Sequence, residues 1–194
     1  MESKSNYNGG FEGVETEARV ANKRGAGTCE SLLRILALAL ALSAAVLLGV
    51  DKQNKIVPLR IVDTLPPISV PASAKWHYLS AFMYFVVAHA IACSYAAISL
   101  ILSIGNRGGK SSGLSLFVVI ADLVMAGLLF SSNGAAVAIG LMGYQGNSHV
   151  RWKKVCDVFG RFCDQAAAAF VVSLLSAIAF LLLVAIAVRR LHKK

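Results

Sequence analysis

Apolar residues in this chain gather into four long runs divided by polar stretches. They show neither the alternation of a strand nor the single stripe of a soluble amphipathic helix. The runs cover residues 32–50, 78–104, 114–142 and 166–188. A helix crosses a hydrocarbon core of about 30 Å with roughly 20 residues at about 1.5 Å each. Each run meets or approaches that length. Inside lipid the backbone must satisfy its own hydrogen bonds, so runs of this kind fold as helices. The pattern predicts an all-α bundle of four transmembrane helices.

Polar segments set the rest of the organisation. Residues 1–30 are polar and glycine-bearing and read as a disordered cytoplasmic tail. The transmembrane domain follows over 31–188, and 189–194 form a basic cytoplasmic tail. The first long loop, 51–77, holds all four prolines and a β-favouring piece at 56–62. Residues 105–113 make a short glycine-rich connection, and 143–165 the second long loop. A cleaved signal peptide is disfavoured for the first run, because five glutamates precede it where a short basic region belongs.

An even number of spans puts both termini on one side. With that side cytoplasmic, the inside segments carry ten Lys/Arg and the two long loops eight. This small excess, and the dense C-terminal cluster, favour cytoplasmic termini. Trp76, His77 and Tyr78 fall where the second helix enters the membrane, and Trp152 lies in the second long loop, in keeping with the interfacial preference of Trp and Tyr.

Composition agrees with a membrane class. Hydrophobic residues make up 57% of the 194 residues and charged residues 15%, against about 25% charged in a typical soluble domain. The net charge of +9 is scattered through tails and loops. It has no aromatic-interleaved patch, so nucleic acid is not an expected partner; the cations anchor helix ends at headgroups.

Arg34 and Asp122 are the charged residues inside the runs. A charge at the bilayer centre costs about 2.5–3.5 kcal/mol on insertion scales, so such groups usually face protein and pair. Arg34 lies about 3 Å inside the start of the first helix and Asp122 about 12 Å inside the start of the third, in the same half of the bilayer. The spacing predicts an Arg34–Asp122 ion pair; snorkelling of Arg34 to headgroups is the alternative. Arg34 shares a side with a small-residue ridge, Ala37, Ala41, Ala45 and Gly49. Asp122 shares one with Ser115, Ala126, Asn133, Ala136 and Gly140. The fourth helix offers Ala169, Ser173 and Ala177. Small residues let helices approach closely in lipid. His89 is a second candidate relay group, more ordinarily a packed histidine.

Of the four cysteines, Cys156 and Cys163 lie in the second long loop, outside the cell on this topology, where disulfides persist. A continuous helix would hold their Cα atoms about 10 Å apart, too far to bridge. A bent loop permits the disulfide, which is the expectation. Cys29, beside the first helix, is a palmitoylation candidate, and Cys93 is expected in the core. No phosphate loop, metal-spaced cluster or catalytic set occurs, so no enzymatic activity, cofactor or metal is expected.

The residues around both membrane charges, Leu32-Leu33-Arg34-Ile35-Leu36 and Ala121-Asp122-Leu123-Val124-Met125, resemble the plant Casparian strip membrane protein family. The stretch from Ser131 does too, with Ala135-Ala136-Val137-Ala138-Ile139, Gly143, Gly146-Asn147, and then Trp152, Cys156, Phe159, Phe162 and Cys163. The resemblance covers roughly residues 30–188. It implies a four-helix plasma-membrane protein with cytoplasmic termini, similar in architecture to MARVEL proteins, that forms homo- and hetero-oligomers such as homodimers and heterodimers. The family's arginine and aspartate fall on Arg34 and Asp122. Founding members assemble immobile platforms that act as lateral diffusion barriers and recruit enzymes that modify the plant cell wall. They carry a Glu-Thr-Leu-Pro-Phe-Phe type signature in the first extracellular loop; here that loop reads Val62-Asp63-Thr64-Leu65-Pro66-Pro67-Ile68, which keeps a fragment.

Two functions follow as expectations. One is a non-catalytic scaffold whose partners are itself, related family members, membrane lipid and extracellular wall-modifying enzymes. The other is a small transporter or channel subunit, for which Asp122 would carry the flux. The polar groups in the spans can be used up by one ion pair and helix packing, which favours the scaffold.

Overall fold

The computed structural model describes the backbone of residues 6–59, 68–105, 112–146 and 154–192, and side chains within 27–56, 71–105, 113, 116–146 and 154–190. Four helices dominate: α1 (Asn6–Gly49), α2 (Ser80–Gly105), α3 (Ser112–Gln145) and α4 (Gly160–His192). Each contains a segment long and apolar enough to cross a membrane: Gly27–Gly49, Ser80–Gly105, Leu116–Gln145 and Gly160–Arg190. The chain is an all-α membrane protein of four spans.

Helix boundaries depart from the apolar runs in an instructive way. α1 begins at Asn6, inside the stretch read as a disordered tail. Extending an existing helix avoids a new nucleation cost, and Glu15-Thr16-Glu17-Ala18-Arg19 is rich in good helix formers. α4 starts at Gly160, ahead of the expected 166, and continues through the basic residues to His192. Hydropathy marks the part of a helix in lipid, whereas hydrogen bonding sets where it stops.

Between α1 and α2 the chain forms an antiparallel hairpin, β1 (Lys52–Leu59) and β2 (Ile68–Lys75). Its register pairs Lys52 with Lys75, Asn54 with Ser73 and Ile56 with Pro71. Only β1 overlaps the expected extended piece at 56–62. A two-stranded ribbon is all edge, so Pro58 and Pro71 are tolerated within it. A 3-10 turn, Trp76–Tyr78, leads into α2. Trp152 and most of the 105–113 connection lie outside the described residues.

Helix neighbours are α1–α2, α2–α3, α3–α4 and α4–α1. The bundle is therefore a square, with α1 and α3 on one diagonal. The buried stripe of α1 is Arg34, Ala37, Ala41, Ala44 and Leu48. Its spacing alternates three and four. The ridge expected at strict four-residue steps leaves the core after Ala41, and Ala45 and Gly49 are only half-buried. At 3.6 residues per turn a four-residue step drifts by about 40°, so only a mixed spacing stays on one face. α2 buries Phe82, Phe85, Ala88, His89, Ala92, Ala96 and Ser99 by the same rule. On α3, Asp122, Ala126, Asn133 and Ala136 are buried, and on α4 Ala169, Ser173 and Ala177. Ser115 lies outside the described side chains.

Small residues thus line much of the interior, beside a few large ones such as Phe85, Phe180 and Leu129, while Leu32, Ile35, Leu36, Ile101, Phe117 and Val171 point outward. That inversion suits lipid, where apolar side chains gain nothing by turning inward and close backbone approach gains dispersion contact. At Gly140, an added Cβ would stand 3.0 Å from the Phe170 ring, so the absent side chain is what lets α3 and α4 meet there.

Candidate functional site: an intramembrane charge network

Arg34 projects from α1 across the diagonal of the square. Its Nη2 lies 2.8 Å from Asp122 Oδ2, and its Nη1 donates to Asp122 Oδ1 at 3.1 Å and to Ser99 Oγ at 2.9 Å. The side chains are 3% and 0% exposed. The guanidinium is therefore turned into the bundle and engages the carboxylate in the bidentate fork that arginine supplies and lysine does not. Tyr95 from α2 donates its hydroxyl to Asp122 Oδ1 at 2.8 Å. Ser99, which accepts from Arg34, donates its own hydroxyl to the Ala96 carbonyl at 3.0 Å.

The network extends to the fourth helix. Glu30, one turn before Arg34, lies 3.7 Å from its Nη2 and also pairs with Arg190 near the end of α4. Arg190, Glu30, Arg34 and Asp122 form an alternating chain of charges, and with Tyr95 and Ser99 it touches all four helices. An alternating chain lets each buried charge meet an opposite neighbour, which offsets desolvation that a lone charge could not. Sequence reasoning placed Arg34 and Asp122 and missed Tyr95, Ser99, Glu30 and Arg190. Tyr95 and Ser99 carry no signal in a hydropathy profile. Glu30 carried one, being four residues before Arg34 on a helix, but the segment was read as disordered.

Other buried polar groups in the bundle are only partly bonded: Asn133 Oδ1, Ser173 Oγ and His89 Nε2 have no hydrogen-bond partner among the described residues. His89 is fully buried, with Nδ1 2.8 Å from the Phe85 carbonyl and its ring stacked on Phe85 at 4.1 Å. Ser176 Oγ donates to the Ala37 carbonyl at 3.2 Å, joining α4 to α1. Cys29 is exposed, and Cys93 is half-buried rather than a core residue.

At the opposite end of the bundle, Cys156 and Cys163 form a disulfide with Cα atoms 5.7 Å apart. Cys163 sits in the first turn of α4, not in the loop to which its position assigned it. A turn at 156–158 folds Cys156 back, which is why a separation of seven residues closes here and not along a helix. That turn is pinned to α3: the Val155 and Cys156 amides both donate to the Gly143 carbonyl, at 2.8 and 3.3 Å. Gly146 ends α3 at φ 70°, the left-handed region that glycine enters without strain.

Two glutamines stitch the hairpin end of α1 to α4. Gln53 Oε1 accepts from the Phe162 amide at 3.0 Å, satisfying an N-terminal donor of α4. Gln165 Nε2 donates to the Leu47 carbonyl at 2.8 Å, satisfying a C-terminal acceptor of α1. Asp51, at the junction of α1 and β1, is 2% exposed, with Oδ2 unpartnered among the described residues. Burial pushes its carboxyl up to about 7, against the pull of the Arg161 guanidinium.

These features define a four-span bundle locked by an ion network near one end and by a disulfide at the other. Residues 23–179 match the Casparian strip membrane protein domain, and the chain belongs to that family. It is similar to CASP-like protein 1E1 of Populus trichocarpa, 60% identical over 95% of this chain and 93% of the relative. CASP-like protein 1E2 of Vitis vinifera is 57% identical over 100% of this chain and 98% of its own length. CASP-like protein 1E1 of Arabidopsis thaliana is 49% identical over 89% and 91%. No solved structure matches the chain.

Proposed function

We propose that this chain is a non-catalytic scaffold of the plasma membrane, with both termini cytoplasmic. It assembles with itself and with related family members into membrane subdomains that serve as lateral diffusion barriers or organise local modification of the cell wall. The observation that supports the reading is the Arg34–Asp122 network. The two charges that the spans must accommodate engage each other and tie helices together. Charges used for transport need to be reachable from water, whereas these are at most 3% exposed.

Family membership supports the same reading, since platform assembly is what the resemblance implies. Photobleaching of a fluorescent fusion in plant cells tests it. Slow recovery in discrete patches, with brightness of several subunits, is expected. Rapid recovery with single-subunit brightness refutes the scaffold.

A further inference from the structure

The hairpin turns two unlike faces to its surroundings. Gln53, Ala72 and Ala74 face the bundle: Gln53 bonds α4, and both alanines pack against the core. Alternation along a strand sends the intervening residues the other way. Among the described side chains the outward face carries three rungs, Lys52 with Lys75, Asn54 with Ser73, and Ile56 with Pro71. Five of these six residues, with Lys55 and Ala72, line a groove of about 410 Å³ on the hairpin; Lys52 lies outside that lining, paired across the strands with Lys75.

The first rung is unusual. Like charges directly across a strand pair repel and destabilise the ribbon. Lys75 lies 5.6 Å from the Tyr78 ring centre, which gives one ammonium a partner. No salt bridge forms at Lys52, Lys55 or Lys75 among the described residues. Asp51, the carboxylate next along the chain, is buried. An anion set between the two lysines relieves the repulsion.

The other rungs indicate which anion. Asn54 and Ser73 offer amide and hydroxyl groups suited to alcohols. Ile56, 74% exposed, and Pro71 present an apolar rung. From the lysine rung to the apolar rung is about 14 Å, at roughly 3.4 Å per residue along a strand. A lipid phosphate at the base would cover only the lysines. A second copy of the same face offers no anion to the lysines. A polymer of uronic acid sugars repeats all three chemistries, with a carboxylate, hydroxyls and an apolar ring face in each unit. The geometry points to the outward hairpin face as a docking surface for an acidic polysaccharide, its carboxylate held between Lys52 and Lys75.

The inference rests on the proposed topology, which places the hairpin outside the cell. The test keeps the two apart. The full chain in phosphatidylcholine nanodiscs, which leave both membrane faces accessible, is titrated with labelled polygalacturonate and with neutral dextran. Salt-sensitive binding to polygalacturonate alone is expected. A Lys52→Gln, Lys75→Gln double variant should bind roughly tenfold more weakly, as loss of two ion contacts at the protein surface implies. The Lys52→Arg, Lys75→Arg variant should retain binding, which separates charge from misfolding. Equal binding of dextran or an unaffected glutamine variant overturns the proposal. Labelling of the hairpin lysines on intact cells by an impermeant amine reagent tests the topology alone.

Discussion

Removing Arg34 alone should cost far more than removing Arg34 together with its partner. Arg34 supplies two charge-assisted donors to Asp122, at 2.8 and 3.1 Å, and Tyr95 supplies the third at 2.8 Å. In Arg34→Met the carboxylate, fully shielded in the bundle, keeps Tyr95 and loses both guanidinium bonds. Breaking a buried pair from one side costs about 3–5 kcal/mol, while apolar replacement of both partners is close to neutral or stabilising. Asp122→Leu should cost about 3 kcal/mol, because the stranded guanidinium retains Ser99 and Glu30. The Arg34→Met, Asp122→Leu double variant should fall within about 1 kcal/mol of the parent, giving a coupling of roughly 5 kcal/mol or more. Reversible unfolding in mixed micelles, followed by far-ultraviolet circular dichroism as the denaturing detergent fraction rises, measures all four proteins. A double variant as unstable as the sum of the singles, with coupling under about 0.5 kcal/mol, would falsify the interlocking role of the pair.

Three further outcomes test the packing and the disulfide end of the bundle. Gly140→Ala drives a methyl to 3.0 Å from the Phe170 ring and should destabilise by about 1–2 kcal/mol; Gly134→Ala, where nothing lies within 4 Å, should be neutral or gain up to about 1 kcal/mol from helix propensity. The same micelle unfolding separates them, and equal effects would contradict the close approach of α3 and α4. Cys156→Ser with Cys163→Ser should lose about 2–3 kcal/mol, the chain-entropy value for so short a loop, and should abolish the effect of reductant on thermal unfolding. Asp51 has a folded pKa of about 7, raised from 3.8. Its contribution is therefore fully present below pH 3.8 and is lost as pH rises through 7. Stability of the parent should fall over that window by up to about 4 kcal/mol, and Asp51→Asn should flatten the fall; an unchanged pH profile in that variant would sink the assignment.

The number of spans and their approximate places were fixed by the apolar runs, because hydrocarbon imposes a length and forbids unpaired backbone regardless of how helices later pack. The pairing of Arg34 with Asp122 was legible for a related reason: two opposite charges in the same half of a bilayer have few other ways to be accommodated. Helix ends were less legible. Glu15 to Arg19 and the basic residues after Val188 are polar yet helical, and hydropathy senses the solvent of a segment rather than its hydrogen bonding.

What only the tertiary structure decided is which groups meet from different helices. Tyr95, Ser99 and Arg190 join the charge network because the square packing puts α1 and α3 on a diagonal with α2 and α4 beside them. Gln53 and Gln165 matter because two helix ends and a strand converge. The bridge between Cys156 and Cys163 depends on a turn held by the end of α3. Local sequence carries the solvent preference of each segment, but contacts at long separation depend on rotation and register, which are set jointly by all four helices.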